Sequence, residues 1–129
     1  MKLTRQFTFE AGHHLPNYVG KCNQTHGHSY KLFISISGDV DEKTGMVIDF
    51  GDMDRVVRET VLNKLDHAYL NHIMPNPTAE NTCRLIFKIL LTAFGTLDVI
   101  LGEVLLYETA NSSCSYTYRD FQLDGGVSF

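Results

Sequence analysis

At 129 residues, 43% hydrophobic and 20% charged, the chain has the size and composition of one soluble globular domain. Its formal net charge of −4 lacks the basic footprint of a general nucleic-acid binder, no apolar run is long enough to span a bilayer, and the N-terminus has no signal-peptide core. Three cysteines, none in a C-x-x-C pair, argue against a disulfide framework and for a reducing compartment, the cytoplasm by default.

Residues 2–9 alternate, with Leu3, Arg5, Phe7 and Phe9 on one face, and predict a strand. The chain leaves it at Glu10 and runs as a loop through Gly20. A second strand is predicted from His28 to Ser37, where Tyr30, Leu32, Ile34 and Ile36 share a face and Phe33 is the apolar exception on the other. Residues 38–45 are turn chemistry. Asp52 is the expected N-cap of a helix of about three turns, its stripe formed by Met53, Val56, Val57, Val61 and Leu65. Residues 66–71 carry a weak helical pattern that breaks at Pro75 and Pro77. Thr78 caps a second helix with Leu85, Ile86, Ile89, Leu90 and Ala93 inward and Gly95 as its stop. Residues 99–109 predict a strand with a bulge at Gly102, and residues 114–118 pair back on it. The expected fold is α+β: a four-stranded antiparallel sheet in ββααββ order, with two helices on one face. That domain covers residues 1–119, and residues 120–129 read as a tail without an assigned role.

The chemistry concentrates in Cys22-Asn23-Gln24-Thr25-His26-Gly27-His28. Histidines one residue apart at a strand mouth project from the same face, and Gly27 allows close backbone approach. With His13 at the end of the first strand they could make a three-histidine zinc site, the catalytic form of zinc coordination because a fourth position stays open; the alternative is a chance H-x-H on a polar strand end. On spacing alone, His14 serves as well as His13. Cys22 has three readings: a thiolate base or nucleophile beside a cation, a fourth zinc ligand, or an unreactive loop cysteine. Asp66-His67 reads as a proton relay or as a solvated helix end. Glu108 belongs to the solvated face of its strand unless it is buried against a bidentate partner. Cys83 reads as a core thiol, His72 as structural, and Cys114 carries no functional assignment.

Taken together, Phe9-Glu10-Ala11-Gly12-His13, Cys22-x-x-x-His26-Gly27-His28, Val47-Ile48-Asp49-Phe50, Leu65-Asp66-His67, Pro77-Thr78-x-Glu80-Asn81 and Tyr107-Glu108-Thr109 resemble the 6-pyruvoyltetrahydropterin synthase family. Within it, Ile48-Asp49-Phe50 looks like the bacterial 6-carboxytetrahydropterin synthases of queuosine biosynthesis. The resemblance spans about Leu3 to Arg119. It implies the tunnelling fold, a homo-oligomer built as a dimer of trimers, and one zinc per subunit on His13, His26 and His28. It further implies that Cys22 abstracts a proton and that Asp66 and His67, from a neighbouring subunit, relay protons. Glu108 is implied to anchor the pterin edge and join the relay, and Thr78 to line the pterin pocket. The implied reaction turns 7,8-dihydroneopterin triphosphate into 6-carboxy-5,6,7,8-tetrahydropterin with release of acetaldehyde and triphosphate. The pyruvoyl product, an aldolase-like activity on dihydroneopterin, and a non-catalytic zinc or pterin-binding module are the competing expectations. His14 and Gln24 depart from the family, standing where relatives often carry basic residues.

Overall fold

The computed structural model describes residues 1–125. Strand β1 (Lys2–His13) pairs antiparallel with β2 (His26–Ser37) in a register that sets His13 opposite His26 and Ala11 opposite His28. The first strand therefore runs four residues beyond its predicted end. The polar run from Glu10 to His13 continues the alternation, with Ala11 and His13 buried in the row begun by Phe7 and Phe9.

After the turn, Asp49 rather than Asp52 caps α1 (Phe50–Val57), its carboxylate accepting from the Gly51 N–H at 2.6 Å. The helical path continues through a π-helical turn, Arg58–Leu62, into α2 (Asn63–Leu65). The widened turn keeps Val57, Val61 and Leu65 buried in line with Met53.

The expectation of four strands and weak helix at residues 66–71 is corrected here. Ala68–Tyr69 forms β3, parallel to β1 at the sheet edge, and Leu70–His72 is a 3-10 turn. The sheet is therefore five-stranded and mixed, ordered β3-β1-β2-β4-β5. Two non-local hydrogen-bonded residues leave no periodic trace in sequence.

Thr78 caps α3 (Ala79–Phe94) as expected, accepting from the Asn81 N–H at 3.0 Å. Strands β4 (Ile100–Thr109) and β5 (Ser112–Thr117) complete the sheet. Opposite β2 the register of β4 slips between Glu103 and Leu101, leaving Gly102 as the predicted bulge. Opposite β5 it slips again at Glu108.

Helices α1 to α3 cover one sheet face in a single core that includes Phe7, Phe9, Leu32, Ile34, Met53 and Phe87, all buried. Tyr118, expected at the end of the last strand, and residues 120–123, expected as tail, belong instead to a short helix. In α4 (Tyr118–Leu123), Phe121 rests against Phe87 with ring centroids 5.7 Å apart, and Thr117 and Asp120 form a reciprocal capping box. Thr117→Ala is expected to destabilise the protein by about 1 kcal/mol, read as a lower urea midpoint at unchanged slope. The part of the proposed tail at 126–129 lies outside the described residues. Among those described, no helix is long and apolar enough to cross a membrane.

Candidate metal centre and the groups around it

The β1–β2 register carries the centre. His13 is 1% exposed on the core face of β1, and His26 and His28 face it from β2. The His13 Nε2 lies 3.1 Å from the Nε2 of His26 and 3.1 Å from that of His28. The donor atoms of all three lie within 4.8 Å of one another.

The far side of each ring explains what this close approach requires. His13 Nδ1 donates to the Pro77 carbonyl at 2.7 Å, and His26 Nδ1 donates to the Gln24 carbonyl at 2.7 Å. With their protons held there, both Nε2 atoms present lone pairs to each other. Two acceptors at 3.1 Å repel unless a cation lies between them. Nitrogens bound tetrahedrally at about 2.0–2.1 Å from zinc stand about 3.3 Å apart, close to what is found. The donor set fits a divalent metal, and a backbone partner on two of the three rings is the usual second support of such ligands.

Electrostatics at His28 agree with a neutral ring. Burial holds His28 below the usual imidazole range, Glu108 opposes this, and His13 and His26 add to it. Glu108 brings a carboxylate to the centre, its Oε1 3.7 Å from His28 Nε2. By alternation with Val104 and Leu106 it belongs to the inner row of β4, and the bulge at its position turns the backbone there. Tyr30 forms the floor, stacked on Phe9 at 4.7 Å and edge-on to His28 at 5.6 Å. Burial, with Glu108 nearby, pushes its hydroxyl well above the usual phenol range.

His14 does not join the cluster. Alternation turns it to the other side of β1, where Nδ1 meets the Tyr69 hydroxyl and its backbone is clasped by Asn71 at 2.9 and 3.0 Å. Tyr69 also reaches Thr25 at 3.3 Å. These groups brace the residues beside His13 and His26, and sequence spacing gave no sign of them.

Cys22 lies in the short 3-10 turn Lys21–Asn23, half-buried, and is not among the metal-competent donors of the described residues. Its carbonyl accepts from the Leu15 N–H at 2.8 Å, so backbone bonds close the loop that carries it. Gly27 stands between His26 and His28 on β2. A Cβ there would meet nothing nearer than the Ala11 carbonyl at 3.7 Å. Gly27 pairs with Gly12, and the two line an open cavity with Glu10, Ser29 and His67.

Asp66 and His67 stand at the β1–β3 edge. The Asp66 carboxylate accepts from the Glu10 N–H at 2.9 Å and from His67 Nδ1 at 3.1 Å. The Glu10 bond is the main reason its carboxyl stays below the usual range; burial opposes it and His67 reinforces it. His67 takes a left-handed backbone, φ 60°, while its N–H is tied to the Glu10 carbonyl at 2.5 Å. Its side chain is 80% exposed.

The mixed sheet with helices on one face and a histidine trio at the mouth of its first hairpin is a tunnelling-fold domain by its likeness to a solved structure. The solved 6-pyruvoyl tetrahydropterin synthase of Caenorhabditis elegans superposes with a TM-score of 0.81 at 26% identity, over 91% of this chain and 94% of that one. The 6-pyruvoyl tetrahydropterin synthase family model matches residues 2–119, and the chain belongs to that family. It is 31% identical to the 6-carboxy-5,6,7,8-tetrahydropterin synthase of Haemophilus influenzae, over 89% of this chain and 97% of the relative. It is 37% identical to the protein of that name from Synechocystis, over 87% and 89%.

Proposed function

We propose that the protein is a zinc-dependent carbon–oxygen lyase of the 6-carboxytetrahydropterin synthase type, serving queuosine biosynthesis in the cytoplasm. The observation that carries this reading is the histidine trio: two rings with their outer nitrogens tied to backbone carbonyls and their lone pairs converging on one point. The names borne by the Haemophilus and Synechocystis relatives support the carboxy product over the pyruvoyl one.

His13, His26 and His28 would hold the zinc. Bound zinc supplies Lewis acidity that weakens C–H and O–H bonds in the side arm of 7,8-dihydroneopterin triphosphate. Cys22 takes the proton from that arm as thiolate. Glu108, facing the centre from the inner row of β4, accepts the paired N–H groups of the pterin edge, a charge-assisted bidentate contact. Thr78 uses its oxygen to cap α3, which leaves its hydroxyl hydrogen to donate to the ring. Asp66 orients His67 for proton return. An 80% exposed His67 is open to contact from a second subunit, which supports a site shared within a homo-oligomer; a dimer of trimers is the form the family resemblance implies.

Incubating the zinc-loaded protein with 7,8-dihydroneopterin triphosphate tests the reading. The expected products are 6-carboxy-5,6,7,8-tetrahydropterin, acetaldehyde and triphosphate, by chromatography and mass. A pyruvoyl pterin without acetaldehyde moves the protein to the other branch, and no triphosphate release at all rejects the enzyme.

A further inference from the structure

The mechanism leaves two nucleophilic side chains unused, and the fold brings them together. Cys83 on α3 is 1% exposed, its Sγ donating to the Val104 carbonyl at 3.3 Å and standing 3.8 Å from the Cys114 carbonyl. Cys114 on β5 directs its Sγ to the Ala79 carbonyl at 3.3 Å. Ala79 lies one turn before Cys83 on the same helix, so the Cys114 sulfur sits on the helical face that carries Cys83. Both thiols line a cavity of about 220 Å³, whose wall also includes Glu80, Arg84 and Tyr116. That is room for a solute the size of a few waters, at about 30 Å³ each in the liquid.

The two sulfurs are chemically unequal. Cys114 is half-buried and Cys83 is enclosed. The two side chains interact, and that interaction holds Cys114 below the usual thiol range against the effect of burial, while together with burial it pushes Cys83 up. Reactive thiols are those that are accessible and readily ionised, and an inaccessible neighbour suits the resolving role.

The geometry points to Cys83 and Cys114 as a peroxide-oxidised dithiol that closes into a reversible disulfide between α3 and β5. The Cys114 thiolate attacks one oxygen of hydrogen peroxide, the O–O bond breaks, and hydroxide leaves with Cys114 as sulfenic acid. The Cys83 sulfur then attacks the Cys114 sulfur, the S–O bond breaks, and the oxygen departs as water with the Cys83 proton. Two thiols and one peroxide give one disulfide and two waters. Closure takes the Cys114 sulfur off the Ala79 carbonyl in the first turn of α3, next to the Thr78 cap.

Tryptic cleavage after Lys21, Lys31, Lys64, Arg84, Lys88 and Arg119 puts the three cysteines in three separate peptides. The full-length protein is treated with hydrogen peroxide, alkylated and digested. The expected result is a linked pair of the Cys83 and Cys114 peptides, lighter by two hydrogens than their sum and separated by dithiothreitol. The linkage is expected to persist in Cys22→Ala, and in Cys114→Ser Cys83 is expected to stay a thiol. A linkage through Cys22, sulfinic acid at Cys114 without linkage, or both thiols intact at peroxide that consumes free cysteine overturns the assignment.

Discussion

Cys22→Ala is expected to lower turnover of the pterin triphosphate by about 10²–10⁴-fold, the span of a positioned acid–base group, while zinc content stays at one per subunit. The reason lies in how the loop is held. Backbone bonds from Leu15 to Cys22 and from Asn23 to Gly20 close it at 2.8 and 3.1 Å, so losing the sulfur leaves its path intact. The metal-competent donors are three imidazoles and do not include this sulfur. Metal analysis beside steady-state kinetics reads both arms. Zinc lost together with thermal stability would make Cys22 a structural ligand and remove it from proton transfer.

His13→Ala is the second large effect, and it acts at both ends of the ring. One end is a donor shared at 3.1 Å with each of the other histidines. The other holds the Pro77 carbonyl just ahead of α3. The variant is expected to retain no zinc after dialysis and to lose turnover to background. It is also expected to lose about 1–3 kcal/mol of stability through the unpartnered carbonyl. Added zinc should raise the melting temperature of the parent and leave that of the variant unchanged, since only the parent has a native-state site. His14→Ala is the control: its ring meets Tyr69, so it should keep its zinc. If His14→Ala loses zinc and His13→Ala does not, the ligand set is wrong.

What sequence conveyed depended on whether a feature was written in side chains. The inner rows of β1 and β2, the α3 cap at Thr78 and the bulge at Gly102 follow from alternation and turn chemistry, and they are found. The first strand looked finished at Phe9 because its last inward positions carry a small alanine and a metal-competent imidazole rather than large hydrocarbon. Polarity that normally ends a strand here belongs to the site. The second supports of the rings stayed hidden because Pro77 and Gln24 contribute carbonyls, which every residue has. Strand β3 stayed hidden because its pairing is non-local and two residues long. Glu108 could have been placed more firmly. It continues the inner row of Val104 and Leu106, and only the habit of assigning carboxylates to solvent argued otherwise.

The residue choice at positions 13 and 14 shows the same division. Sequence spacing admits either histidine, whereas the β1–β2 register puts His13 opposite His26 and leaves His14 to Tyr69 and Asn71. Pairing register, a property of two strands together, decides which ring joins the cluster.

Everything in the proposed chemistry depends on three imidazoles holding the metal while Cys22 stays free to move a proton. X-ray absorption at the zinc edge of the purified protein separates that division of labour from its alternative. The expected spectrum has a shell of nitrogen and oxygen at about 2.0–2.1 Å with no sulfur. A sulfur scatterer at about 2.3 Å that disappears in Cys22→Ala would contradict it.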